Sequence, residues 1–143
     1  MIYRRANAAD VPQVLRVVSL MVEGTMFQPP TERKLARFIA DAASYHQGVW
    51  LGERLIAFMC GTISETFLND EVNAYEKGLF VLPEHRGGSI SVRLVRNFEE
   101  WAKQAGATNI WLGQSVGQNM ESTLRFFERL GYACQGFTTC KKL

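Results

Sequence analysis

Residues 79–95 read Leu79-Phe80-Val81-Leu82-Pro83-Glu84-His85-Arg86-Gly87-Gly88-Ser89-Ile90-Ser91-Val92-Arg93-Leu94-Val95. An apolar strand runs into a proline turn, then into a basic residue and a run of small residues, and that run opens an amphipathic helix. The first turn of a helix carries N–H groups without intrahelical partners, and the helix dipole favours negative charge at that end. Small residues let an anion come close to the backbone, and Arg86 sets a permanent positive charge beside it. A cation at a helix start is unfavourable unless an anion neutralises it. The stretch reads as a phosphate-binding corner.

Two common phosphate loops do not fit these letters. The nucleotide P-loop requires Gly-x-x-x-x-Gly-Lys-Ser/Thr, and no lysine follows Gly87 or Gly88 at that spacing. The dinucleotide fingerprint requires Gly-x-Gly-x-x-Gly in an early βαβ unit, whereas this loop lies past mid-chain and lacks the third glycine.

Working outward from the loop, Ala74–Val81 is the strand that enters it. The helix that leaves it spans about Ser89–Ala105, with Ile90, Leu94, Phe98, Trp101 and Ala102 on its apolar face and Gly106 closing it. Asn109–Gln114 is an apolar strand, Asn119 caps a helix reaching Leu130 that Gly131 closes, and Tyr132–Lys142 reads as a final strand. Upstream, Gly48–Leu51 and Leu55–Ser64 form a hairpin around Gly52-Glu53, and Glu65–Glu71 is a polar connection. Before them, Ile2–Ala6 is a short strand and Asp10–Glu23 an amphipathic helix. Asn7 and Asp10 compete as its cap, and Pro12 in the first turn favours Asp10 with Gln13 reaching back. A second helix, Thr31–Ser44, turns Leu35, Phe38, Ile39 and Ala42 to one side. The order β-α-α-β-β-β-α-β-α-β predicts an α/β domain over residues 1–143. Its sheet is mostly antiparallel, with a parallel pair around the loop's helix.

Composition narrows the function. A chain of 143 residues fits one domain with its own core. The formal charge of +2, without blocks of like charge, gives no footing for nucleic acid or for a membrane surface. No apolar run approaches the roughly 20 residues of a membrane span, and Met1–Arg5 lacks the apolar core of a signal peptide. The three cysteines, Cys60, Cys134 and Cys140, have no zinc-like spacing with His46 or His85. Reduced thiols in a cytoplasmic protein and no metal are expected.

The loop resembles motif A of the GNAT superfamily of N-acetyltransferases, Gln/Arg-x-x-Gly-x-Gly/Ala after a strand and a turn. Arg86 takes the first position, Ser89 that of the middle glycine and Ser91 the last; Val81, Pro83-Glu84, Gly87, Ile90 and Leu94 fill out the run. The resemblance extends to Ile2–Ala6 followed by Asn7-Ala8-Ala9-Asp10, and to Phe126-Phe127-Glu128-Arg129-Leu130-Gly131-Tyr132 near the C-terminus. Small phage and prophage acetyltransferase-like chains look similar, more faintly. The sequence departs from the pattern in two places. Serine replaces glycine at 89 and 91, and Phe127 stands where many members carry the tyrosine that protonates the departing thiolate.

The resemblance implies the GNAT fold, in which the strand before the loop splays from the strand after the helix. It also implies acetyl-CoA as co-substrate, its pantetheine arm along Leu79, Phe80 and Val81 and its diphosphate on the main chain of Arg86, Gly87, Gly88, Ser89, Ile90 and Ser91. Asn119 either contacts the coenzyme arm or only caps its helix. For the chemistry, Glu76 is the first candidate base, because burial on the strand would raise its pKa. The N–H of Val81 or Phe80 can serve the thioester carbonyl. Tyr75, Ser115 and Ser122 are alternatives for the missing acid. Glu65, Asp70 and Glu71 line the acceptor mouth or are solvated loop charges, and Met26, Phe27 and Phe80 wall an acceptor pocket or belong to the core. Trp50, Trp101 and Trp111 are assigned to packing and His85 to the surface. The expected activity is direct transfer of acetyl to a primary amine of a small molecule or peptide, in a monomer or homodimer. An impaired acyl-CoA-binding or protein-interaction module of the same fold is the alternative.

Overall fold

The computed structural model describes residues 1–114, 117 and 119–143. Five strands form one sheet in the order β1-β2-β3-β4-β5: β1 (Ile2–Arg5), β2 (Tyr45–Leu51), β3 (Arg54–Glu65), β4 (Val72–Val81) and β5 (Asn109–Trp111). The first four pair antiparallel and β4 pairs parallel with β5. Helices α1 (Val11–Val22) and α2 (Glu32–Ala40) pack near one another, α3 (Ile90–Gln104) joins β4 to β5, and α4 (Met120–Arg129) follows β5.

Each sheet face buries its own core. Val14, Val17 and Ile39 from α1 and α2 meet Trp50, Leu55 and Phe58. Leu94, Val95, Phe98 and Ala102 from α3 meet Val49, Ala57, Met59 and Ala74. Phe98 is fully buried, stacks on Trp101 and meets Tyr45 edge-on, in a three-ring cluster with Tyr45 and Trp101 also in contact. The apolar face expected of α3 is therefore the buried one, with Val95 added and Trp101 at its margin. A side chain at Gly61 would bring its Cβ to 2.6 Å from the Phe98 ring, so this close approach needs glycine.

Several boundaries differ from expectation for local reasons. A 3-10 turn, Ala8–Asp10, precedes α1, and Asn7 is its cap: Asn7 Oδ1 accepts from Ala9 N at 2.9 Å, and Asp10 Oδ2 accepts from Asn7 N at 2.8 Å. Asp10 caps nothing in α1 with its side chain, since Arg4 also claims its carboxylate at 2.7 and 2.9 Å. Gln13 does not reach back; it grips the β2–β3 turn through Glu53 O at 2.8 Å and Leu55 N at 2.7 Å. Helix α2 stops at Ala40, short of Ser44. Asp41 Oδ1 accepts from Ala43 N, and Ser44 Oγ donates to Phe38 O and Asp41 O, which closes the chain into a turn and leaves Ala42 exposed. The expected last strand, Tyr132–Lys142, is not a strand: beyond Tyr132, whose N–H bonds Phe127 O, the chain has no regular structure. β5 is only three residues long and offers no edge for a strand of that length.

β4 is irregular in two ways. Cys60 pairs with Gly78 and Gly61 with Glu76, so Lys77 is left over as a β-bulge. Pairing with β5 covers Asn73–Tyr75, and from Glu76 onward β4 has no paired strand on that side among the described residues.

Candidate active site

Where β4 parts from β5 a groove of about 590 Å³ opens. One wall is β4 from Glu76 to Val81 with Arg86 and Ser91; the other is Asn119, Ser122, Thr123, Phe126 and Phe127 at the start and inner face of α4. Of the residues singled out in the sequence, Glu76, Leu79, Phe80, Val81, Arg86, Ser91 and Asn119 meet there. Gly87, Gly88 and Ser89 lie exposed where α3 begins, and Ile90 is buried under α3.

Glu76 is half-buried, and its Oε2 accepts the Gly113 N–H at 3.3 Å. Burial raises its pKa to about 7, against the lowering pull of that N–H and of Lys77. The Cys60 thiol is pushed up to about 12, first by burial and then by the Glu76 charge, so it carries almost no thiolate at neutral pH.

The loop gives backbone where the sequence pointed to it. Gly87 has φ +81°, and a Cβ at Gly87 or Gly88 would meet nothing within 4 Å, so the approach to these amides is open. Ser89 sits at the N-cap of α3 but makes no capping bond, which leaves the first turn without a side-chain acceptor. Arg86 does not stand free over the helix end. Its Nε donates to Val81 O at 2.8 Å and its guanidinium lies 5.2 Å from the Phe80 ring. Among the described residues its terminal nitrogens have no partner. Because Leu82 N bonds Ile56 O on β3, alternation turns the polar groups of Val81 toward the groove, where Arg86 takes the carbonyl.

Asn119 occupies the N-cap of α4 in the left-handed region, φ 51° and ψ 39°, with no side-chain capping bond, so the expected cap is positional only. Phe127 is buried and has no proton to give. Of the alternatives for an acid, Ser122 reaches the groove with its Oγ donating to Asn119 O at 3.0 Å, Tyr75 lies outside the groove, and Ser115 lies outside the described residues. Met26 and Phe27 do not wall the groove; Phe27 belongs to a separate hollow of about 490 Å³ beside α1, and Phe80 alone of the three faces the groove. Glu65, at the end of β3, and Asp70 and Glu71, on the β3–β4 connection, are exposed. Trp50 and Trp101 pack as expected, but Trp111 does not: it is 45% exposed. Met21, Gly113, Thr123 and Thr138 also line the groove. No local motif marks them, because the fold brings them from separate parts of the chain.

The sequence profile of the acetyltransferase (GNAT) family matches residues 16–132. The chain belongs to that family. No curated protein sequence matches it. Among solved structures, this GNAT chain resembles a tetramutant of the BH1408 protein from Bacillus halodurans, with TM-score 0.84, 20% identity and all of both chains covered. It also resembles a ribosomal-protein-alanine N-acetyltransferase from Brucella melitensis biovar Abortus 2308, with TM-score 0.76, 12% identity and both chains fully covered. An aminoglycoside acetyltransferase from an uncultured soil metagenomic sample aligns with TM-score 0.81 at 16% identity, over 99% of this chain and 95% of that one. Identities this low carry the GNAT fold and no substrate. Among the described residues no cluster of His, Cys, Asp and Glu could hold a metal, and no helix is long and apolar enough to cross a membrane.

Proposed function

We propose that this GNAT protein is an acetyl-CoA-dependent N-acetyltransferase that passes acetyl directly to a primary amine. The observation that carries the reading is the groove that opens where β4 parts from β5, with the Glu76 carboxylate held in it by the Gly113 N–H. The free edge of Leu79–Val81 suits a peptide-like arm, which would pair with it as another strand does. The backbone at Gly87 and Gly88, with open space beside it, and the terminal nitrogens of Arg86 suit a diphosphate, and Asn119 lines the same groove as Arg86 and Ser91.

The co-substrate supplies an acetyl group activated as a thioester. The chain contributes position, a donor and a base. Holding two reactants in one groove removes much of the entropic barrier. The groove-facing N–H of Val81 is placed to donate to a carbonyl oxygen as it gains charge. Glu76 accepts one proton from the acceptor ammonium, freeing the nitrogen lone pair to bond the acetyl carbon while the carbon–sulfur bond breaks, and the second proton shed by the new amide nitrogen passes to water or the departing thiolate. A thiolate with a pKa near 8.5 leaves without a dedicated acid, which accommodates Phe127. The raised pKa of Cys60 argues against an acetylated enzyme. Free Cys60, Cys134 and Cys140 suit a reducing compartment, so cytoplasmic action is part of the reading.

Calorimetric titration with acetyl-CoA, followed by thiol release across a panel of primary amines, tests the proposal. Saturable binding and amine-dependent thiol release are expected. Binding without release on any amine would leave a coenzyme-binding module, and no binding would remove the function altogether.

A further inference from the structure

One carbonyl in the groove, that of Val81, has two claimants. Leu82 N bonds Ile56 O on β3, so alternation presents the N–H and C=O of Leu79 and Val81 to the groove. A strand-like arm lying along that edge would pair with these groups. The Val81 carbonyl is already taken, because Arg86 Nε donates to it at 2.8 Å. An N–H on a paired arm would stand roughly 2.9 Å from the same oxygen. Nε therefore occupies the place that the arm's donor needs.

The turn between the two residues builds this contact. Pro83–His85 is a 3-10 turn in which His85 N bonds Leu82 O at 2.9 Å and Arg86 N bonds Pro83 O at 3.3 Å, and it folds residue 86 back over the end of β4. The guanidinium then lies 5.2 Å from the Phe80 ring centroid, within reach of cation–π attraction. Phe80, Val81 and Arg86 all line the groove. Among the described residues no carboxylate pairs with Arg86. Its charge is held by a carbonyl and a ring alone. A phosphate offers the same donors full Coulomb attraction and two acceptor oxygens in fork geometry, neither of which a carbonyl supplies.

We propose that Arg86 is a gate on the edge of β4: its bond to Val81 O excludes the arm, and a diphosphate draws the guanidinium away so that the arm pairs along Leu79–Val81. Arg86 is then a specificity-determining residue, favouring thioesters that carry a diphosphate over those of a bare pantetheine arm. The inference rests on the coenzyme reading of the groove and adds the opposite signs with which Arg86 acts on the two halves of that ligand.

The test compares coenzyme A with pantetheine, the same arm without its diphosphate, on the wild-type chain and on Arg86→Ala. Coenzyme A is titrated by calorimetry. Pantetheine is titrated to millimolar concentration by NMR, read on the backbone N–H signals of Leu79 and Val81 in the isotope-labelled chain. Arg86→Ala should weaken coenzyme A binding by about tenfold or more yet tighten pantetheine binding roughly two- to tenfold. A side chain that only props the end of β4 would weaken both when removed. If the wild type binds coenzyme A but Arg86→Ala binds pantetheine no more tightly, or shows no shift with it, the gate is overturned and the coenzyme reading stands. An unchanged coenzyme A affinity in Arg86→Ala also overturns the gate, since the diphosphate then does not hold the guanidinium. Coenzyme A bound by neither protein removes the gate and the coenzyme reading together.

Discussion

Glu76 combines two opposing consequences of one burial. Its folded pKa of about 7 lies above the ordinary 4.5. Below pH 4.5 the carboxyl is protonated in both folded and unfolded chains. Between 4.5 and about 7 the folded chain holds a proton that the unfolded chain has released, so stability falls as pH rises, and above 7 the penalty is constant. Activity should move the other way, kcat/KM rising through an inflection near 7 as the base ionises. Glu76→Gln should lower kcat by about a hundredfold or more, keep acetyl-CoA affinity, and flatten the stability slope between pH 4.5 and 7 in chemical denaturation. An unchanged turnover would remove Glu76 from the chemistry. For Arg86, charge-assisted hydrogen bonds to phosphate are worth about 1.5–3 kcal/mol. Arg86→Ala should therefore weaken acetyl-CoA binding by about tenfold or more in calorimetry, and an unaltered Kd would show the guanidinium serving only Val81 O.

At the scale of elements, the entry to α1 is a small polar assembly: Asn7 and Asp10 cap each other reciprocally and Arg4 closes on Asp10. The Arg4 hydrogen bonds, more than any other contact, hold the Asp10 pKa below its ordinary 3.8. A depressed carboxylate contributes stability that is complete above the unfolded pKa and lost as pH falls through the folded one. Asp10→Asn should accordingly remove part of the acid-side loss of stability, read from denaturation midpoints between about pH 5 and 2. Asn7→Ala should cost about 1 kcal/mol at neutral pH. This assembly also marks how far local sequence reaches. Asn7, Asp10 and Pro12 announced a helix start, but which side chain caps depended on Arg4 arriving from β1, a tertiary contact that no local pattern contains. The end of α2 was equally hidden, since Asp41 and Ser44 act through turn hydrogen bonds that interrupt a periodic apolar pattern. The tail after Tyr132 had the composition of a strand, but a strand needs an edge, and β5 is too short to offer one.

At the scale of the molecule, the fold was legible because hydrophobic period, turn chemistry and the loop at 86–91 all pointed to one arrangement. The groove was half legible. The wall from Glu76 to Ser91 is one continuous piece of chain and could be read from it, whereas Met21, Gly113, Thr123 and Thr138 come from separate elements. A tryptophan in an apolar strand looks like core, but Trp111 ends the short edge strand β5 and stays exposed. The α3 core fixes where the loop points, with Phe98, Tyr45 and Trp101 packed ring against ring. Phe98→Ala should destabilise the protein by about 3–5 kcal/mol, seen as a lowered denaturation midpoint. A loss under about 1 kcal/mol would mean that this core is not packed as described.

The central claim is that the corner between β4 and α3 holds a coenzyme diphosphate. A crystal structure with coenzyme A bound tests it most directly. The diphosphate is predicted on main-chain N–H groups between Gly87 and Ser91, beside Arg86, with the pantetheine amides along Leu79–Val81 and the sulfur toward Glu76. Coenzyme bound elsewhere, with that corner empty or filled by a side chain, would contradict the account.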